Sequence, residues 1–392
     1  MQHAIGSVRA LGLLVLCASG SCFTADCSSS PREQTRVQPS SAQRVRQTAP
    51  GESAVVQSAT GSAQREQRMA HGEPAAIADR SNAASVASSE PDGTAATAAN
   101  DARLFAGTQF RQGELLAGLA SGELSALRPV GSTSTVFRAQ LNRNFRAAFK
   151  TSTHQRPSGH VAEMAAYRLA RCLGLDNVPP AVLRRVPVAM LRRELNPEYA
   201  SSWPSIVSQL WVSRDGLVEG VAIYWIEGLQ DIDLASAEGR AAAARALRLS
   251  EPMPDASQST AASLSTLQAF DYLIGNWDRW SGGNVKGDAS GRILYMRDHD
   301  AAFPGKMSEA LQRRLLEPVV ASERFSRSFV QHLRALDRGA FERELARDPL
   351  YAAHPRLDER HLAALFDRRG ALLSHVAVLI EEHGEARVLA FP

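Results

Sequence analysis

Apolar and polar positions divide the chain into three unequal parts. A short apolar run from Ala10 to Ala18 follows one early arginine; residues 28–100 contain no leucine and no aromatic residue; from Leu104 and Phe105 onward apolar positions recur to the C-terminus without another break. The first run is too short for a stable membrane-spanning helix and leads into small residues, so residues 1–27 are expected to be a secretory signal segment. Residues 28–100 cannot bury enough apolar surface to offset their ordering entropy and are expected to form a disordered linker. Residues 101–392 remain as one folded domain, long enough for two lobes with a cleft between them.

Within that domain VFRAQL (136–141) and FRAAFK (145–150) are short strand-like runs around Asn142, Arg143 and Asn144, which predicts a hairpin. In SGHVAEMAAYRLARCLGL, Ser158 can cap a helix and Gly174 can end it, and Val161, Ala165, Leu169 and Cys172 fall on one stripe. AVLRRVPVAML (181–191) and GLVEGVAIYWI (216–226) predict a strand pair, and helical periodicity dominates after about Leu264, including Leu357 to His383. Strands first and helices later is an α+β layout, with a small sheet-rich lobe over about 101–220 ahead of a larger helical lobe over about 221–392.

Charge adds little: a net +3 with no basic run does not suggest a nucleic-acid partner. Lysine does carry information, because it occurs only at Lys150, Lys286 and Lys306 among 44 basic residues. Three of the four cysteines, Cys17, Cys22 and Cys27, lie in or beside the signal segment. Ser19, Gly20 and Ser21 before Cys22 form a degenerate lipobox that would lipidate Cys22 and attach the chain to a membrane; plain secretion with cleavage near Ala18 to Ala25 is the alternative. Cys172 alone remains in the domain, where no intramolecular disulfide can form.

The chemistry concentrates between Phe270 and Phe303. Leu264, Leu267, Phe270 and Ile274 form the apolar stripe of a helix ending at Gly275, and Asp271 interrupts it. A buried acid needs a partner, and Arg279 is the nearest candidate. Asp278 and Asn284 follow on a glycine-rich loop, and RILYM reads as a strand delivering Asp298, His299 and Asp300. Such an arrangement suits phosphoryl transfer: Asp278 orients the attacking hydroxyl while Asn284 and an acid at the strand end supply oxygen ligands to Mg²⁺ or Mn²⁺. Upstream, GSTST from Gly131 to Thr135, including Ser132, either covers phosphates or is a plain turn. Tyr224 and Trp225 either line an adenine pocket or belong to the core. His299 between two aspartates has no second histidine or cysteine at ligand spacing, which argues against zinc.

FDYLIGNWDR, the DHDAAF segment and HVAEMAAYRLARCLGLDNVPP occur in the order found in the secretory-pathway kinases related to Four-jointed, the Golgi casein kinase and the glycosaminoglycan xylose kinase, and the chain resembles that family over most of Phe145 to Phe303. A more distant likeness extends to bacterial persistence-toxin kinases and phosphatidylinositol kinases. The resemblance implies an atypical protein-kinase-like fold. It further implies that Lys150 contacts ATP phosphates, Glu163 pairs with Lys150, Asp278 is catalytic, and Asn284 and Asp298 hold the metal. Asp298 and Asp300 would share a face of an extended strand, so periodicity does not choose between them. The family's metal aspartate stands five residues before a phenylalanine, as Asp298 stands before Phe303.

Three departures accompany the likeness: Trp280 replaces the family's histidine, Asn284 lies six rather than five residues after Asp278, and the disulfides of the animal relatives are absent. The sequence thus predicts an exported ATP-dependent kinase acting on a hydroxyl of a protein or glycan. A pseudokinase binding module and a small-molecule or lipid phosphotransferase are the competing readings.

Overall fold

The structure, a computed structural model, describes residues 93–131, 135–141, 145–232, 236–253, 255–279 and 283–392. The expected signal segment with Cys22, most of the expected linker, Ser132, residues 142–144 and Trp280 lie outside the described residues. Helix α1 (Gly93–Ala102) begins inside the stretch expected to be linker, so helical structure starts earlier than residue 101. It precedes α2 (Gln112–Ser121).

The expected hairpin is present. Strands β1 (Leu124–Val130), β2 (Val136–Leu141), β3 (Phe145–Thr151), β4 (Ala181–Pro187) and β5 (Leu217–Tyr224) form an antiparallel sheet in the order β1-β2-β3-β5-β4. Alternation along β2 turns Phe137, Ala139 and Leu141 inward, and β3 aligns Lys150 between Val136 of β2 and Val221 of β5. Two expectations change here. Residues 188–191 continue not as strand but as α4 (Val188–Glu194), because Pro187 at its N-cap has no amide for the ladder and a φ suited to entering a helix. Strand β5 runs through residue 220, so the N-terminal lobe extends to Tyr224 rather than ending at 220.

A second, small sheet joins β6 (Gln230–Asp231), β7 (Lys286–Gly287) and β8 (Leu294–Tyr295). Helices make up most of the rest: α5 (Trp203–Val207), α6 (Ala237–Ala246), α7 (Asp255–Ile274), α8 (Glu309–Val320), α9 (Arg327–Ala335), α10 (Arg338–Leu345), α11 (Pro349–Ala353), α12 (Glu359–His383) and α13 (Glu385–Val388). No helix among the described residues is long and apolar enough to cross a membrane.

Two apolar clusters correspond to the two lobes. One gathers Phe105, Leu115, Phe137, Phe149, Val186 and Val218 around the five-stranded sheet. The other joins Leu267, Phe270, Phe329, Leu365 and Val376 of the C-terminal helices to the helix α3 (Gly159–Cys172), through Val161, Met164 and Tyr167. The expected stripe of α3 is buried at Val161, Ala165 and Leu169, and half-buried at Cys172, whose thiol burial pushes up to about 12. Its polar positions are buried too, because α3 lies between the lobes: Arg168 donates to Glu344 of α10 at 3.2 Å and Arg171 to Asp101 of α1 at 2.8 Å. Gly174, with φ +68°, ends the helix as expected.

Gly220 lies where β5 pairs with β3, opposite Thr151. A Cβ there would stand 2.6 Å from the carbonyl oxygen of Lys150 and 2.8 Å from the Phe149 ring. Backbone cannot yield as a flexible side chain does, so Gly220→Ala is expected to destabilise the fold by about 1–3 kcal/mol and to displace Lys150. Urea denaturation checks this; an unchanged midpoint would show that the strand shifts without cost.

Candidate active site

Lys150, Glu163, Asp278, Asn284, Asp298 and Gly131 all line one cleft of about 610 Å³. Strand β3 presents Lys150 from the sheet. Helix α3 presents Glu163, its fifth residue, from below. Its placement therefore owes nothing to a helix N-terminus and follows from the pair it makes. Lys150 Nζ donates to Glu163 Oε1 at 2.8 Å, with both side chains almost fully buried.

The same ammonium donates to Asp298 Oδ1 at 2.9 Å and lies 3.0 Å from Asp300 Oδ2. Burial alone would lower the Lys150 pKa, but Glu163, Asp298 and Asp300 outweigh it and hold the group above the ordinary lysine range. Burial likewise opposes charge on Glu163; Lys150 and the His299 hydrogen bond nevertheless keep its carboxyl well below the usual range. His299 is buried, with Nδ1 3.4 Å from Glu163 Oε2 and its ring edge-on to Phe270. It positions the glutamate.

Asp298 does not come directly off a strand. Strand β8 ends at Tyr295, and Asp298 adopts a left-handed φ of +64°, so Asp298 and Asp300 are not related as neighbours on one face of an extended segment. A non-glycine residue there is uncommon, and Asp is among the residues that tolerate it. Both acids reach Lys150, but their surroundings differ. Asp300 is 9% exposed and is also held by Arg156 NH1 at 2.5 Å, whereas Asp298 is 37% exposed toward the cleft. Lys150 lowers the Asp298 pKa against the effect of burial, while burial prevails at Asp300 and raises it. Asp298 is the more open of the two to the cleft.

One guanidinium organises the loop. Arg279 is fully buried and makes two bonds to Asp271, from Nε to Oδ2 at 2.8 Å and from NH2 to Oδ1 at 3.0 Å, the pairing expected from sequence. Its NH1 donates to the carbonyl oxygens of Asn284, at 3.0 Å, and of Arg297. Asn276 Nδ2 adds bonds to Asp271 Oδ1 at 3.2 Å and to the Asp298 carbonyl at 3.3 Å. Helix α7, the loop after it and the segment carrying Asp298 are thus joined through a single buried network. Asn284 Nδ2 donates to the Asp278 carbonyl at 3.0 Å, and Asn284 lines the cleft. Gly283 beside it takes a φ of +68°.

On the sheet side of the cleft, Gly131 follows β1 with φ +82° and open space where a Cβ would be, a geometry that lets backbone approach a ligand. Tyr224 and Trp225 line the wall where the chain leaves β5, and Tyr224 also packs edge-on to Phe105 in the core. Sequence reasoning did not single out Arg156 or Arg297, which also line the cleft, and ranked Asp300 behind Asp298 without foreseeing its bond to Lys150. Among the described residues no group of three or more His, Cys, Asp and Glu is arranged to hold a metal, and the candidate metal pair includes an amide, Asn284.

No family model and no curated protein matches the chain. Solved structures do match in shape. A crystal structure of the Golgi casein kinase aligns with a TM-score of 0.51 at 17% identity, covering 71% of this chain and 78% of that one; a second, with Mn/ADP bound, aligns at 0.51 and 18% with the same coverage. The structure of hydra Fam20 with sugar aligns at 0.53 and 16%, covering 74% of this chain and 96% of that one. The chain therefore has the two-lobed, α+β, atypical kinase-like fold of these proteins, an antiparallel sheet lobe set on a helical lobe.

Proposed function

We propose that the protein is an exported ATP-dependent kinase that transfers the γ-phosphoryl group to a hydroxyl of a protein or glycan with the help of Mg²⁺ or Mn²⁺. The observation that carries this reading is the convergence on Lys150 Nζ of Glu163 and Asp298 in a cleft that also holds Asp278 and Asn284. A buried lysine held by a helix glutamate presents a fixed cation to phosphates. Four carboxylates face three cations along the cleft, so an anionic nucleotide is poorly matched to these walls alone and a divalent cation complements them. Asp298 and Asn284 are the residues that would hold it. When bound, such an ion neutralises charge on the phosphate oxygens.

In this reading Lys150 orients the phosphates and Glu163 keeps its ammonium in place. Asp278 aligns the acceptor hydroxyl and takes its proton as the oxygen–phosphorus bond forms and the bond from the γ-phosphorus to its bridging oxygen breaks. The relative with Mn/ADP bound is consistent with this assignment of cofactors.

Incubation of the purified chain with labelled ATP and either Mg²⁺ or Mn²⁺, with protein and glycan acceptors, tests the proposal. Metal-dependent transfer supports it; nucleotide binding without transfer would favour a pseudokinase scaffold, and transfer only to a lipid or small molecule would change the acceptor class. The metal ligand is tested in the same assay. Asp298→Asn is expected to cost at least about tenfold more metal-dependent activity than Asp300→Asn, a difference of about 1.4 kcal/mol in barrier. Greater damage from Asp300→Asn would reverse the assignment.

A further inference from the structure

Among the described residues the cleft contains one cation whose side chain has no hydrogen-bond partner. Its walls carry Lys150, Arg156 and Arg297. Lys150 is held by three carboxylates and Arg156 by Asp300. Among the described residues the Arg297 side chain, 31% exposed, makes no hydrogen bond: its nearest ionic neighbour is Asp298 Oδ2, 3.6 Å from NH2, beyond hydrogen-bond reach, and its Nε is buried without an acceptor. A guanidinium has five donors in a fixed fork, and leaving a buried one unmet is costly.

The backbone of Arg297 is nonetheless well fixed, since its carbonyl accepts from the buried Arg279. The side chain is thus mounted on a rigid point. Its location also discriminates between ligand parts. Asp298 has Lys150 on Oδ1 and Arg297 near Oδ2, so the guanidinium stands at the charged end of the cleft beside the lysine, whereas Tyr224, Trp225 and Ile226 form the wall where the chain leaves β5.

We propose that Arg297 is a phosphate-binding residue that donates to the polyphosphate of the nucleotide, supplying the cleft's second phosphate contact alongside Lys150. A planar fork suits two oxygens of one phosphate, or oxygens of neighbouring phosphates, better than a point charge. This assignment rests on reading the cleft as a nucleotide site, but it concerns binding and not transfer.

The test measures affinities of the full chain in Mn²⁺ for ATP, inorganic tripolyphosphate and adenosine by calorimetry, in wild type and in Arg297→Met. ATP and tripolyphosphate should bind about ten- to a hundredfold more weakly to the variant, with adenosine unchanged. Arg297→Lys should fall between, since charge without the fork recovers part of the contact, and this variant decides the matter if the methionine form does not fold. Equal weakening of ATP and adenosine, unchanged ATP affinity, or no binding of either polyphosphate to wild type would each overturn the assignment. A chain that transfers nothing yet shows this polyphosphate-selective loss leaves the assignment standing and removes the kinase reading. Transfer by wild type with unaltered binding in Arg297→Met does the opposite.

Discussion

Asp278→Asn should lower phosphoryl transfer by about 10²–10⁴-fold while leaving nucleotide affinity and thermal stability close to wild type. The size follows from the role: a positioned carboxylate that accepts the acceptor's proton contributes in that range. Specificity for the chemical step follows from the structure. Asp278 is half-exposed on the loop after α7, and it is its main-chain carbonyl that receives Asn284 Nδ2, so an isosteric amide retains that bond. Lys150, Glu163 and Asp298, which the proposed function assigns to the phosphates, make their contacts with one another and not through Asp278. Single-turnover transfer and equilibrium ATP binding separate the two effects. Near-normal turnover in the variant would remove Asp278 from the mechanism.

Arg279→Met should be the most destabilising single change in the site, by about 3–5 kcal/mol, because it leaves the Asp271 carboxylate buried without its partner. Asp271 is 2% exposed and Arg279 is fully enclosed, so water cannot replace the guanidinium. A loss of that size is a large part of a typical domain's total stability of about 5–15 kcal/mol. The paired variant Asp271→Leu with Arg279→Met should recover much of the stability, since apolar groups of similar volume often replace a buried ion pair without loss. It should not recover activity, because Arg279 also ties the Asn284 and Arg297 carbonyls together. Chemical denaturation of the single and double variants measures both; a single variant within about 1 kcal/mol of wild type would show that the network is not what holds this loop.

The parts of the site legible from sequence were those in which a local rule and a chemical necessity coincide. Lys150 stood out as one of three lysines at the end of a strand-like run, and Asp271 stood out as an acid within an apolar stripe, which required a cation nearby. Both expectations lead to contacts the structure contains, at 2.8 Å to Glu163 and 2.8 Å to Arg279. Order along the chain, a sheet lobe before a helical lobe, was equally readable, because strand alternation and helical periodicity differ over only a few residues.

What lay beyond the sequence depends on contacts between segments far apart in it. Nothing near Arg156 points to Asp300, 144 residues away, and nothing in DHD tells that Asp298 turns through a left-handed φ so that both aspartates converge on one ammonium. The continuous burial of α3 was invisible for the same reason. Periodicity reports one apolar stripe, whereas the helix is enclosed on its polar side by Glu344 and Asp101, which only folding brings to it. The sequence by itself determined the elements, their order and the identity of the charged groups, since these follow from local patterning. Tertiary structure alone decided which carboxylates share Lys150 and which guanidinium is left with its donors facing the cleft, because pairing among buried charges is settled by distance and desolvation and not by spacing along the chain.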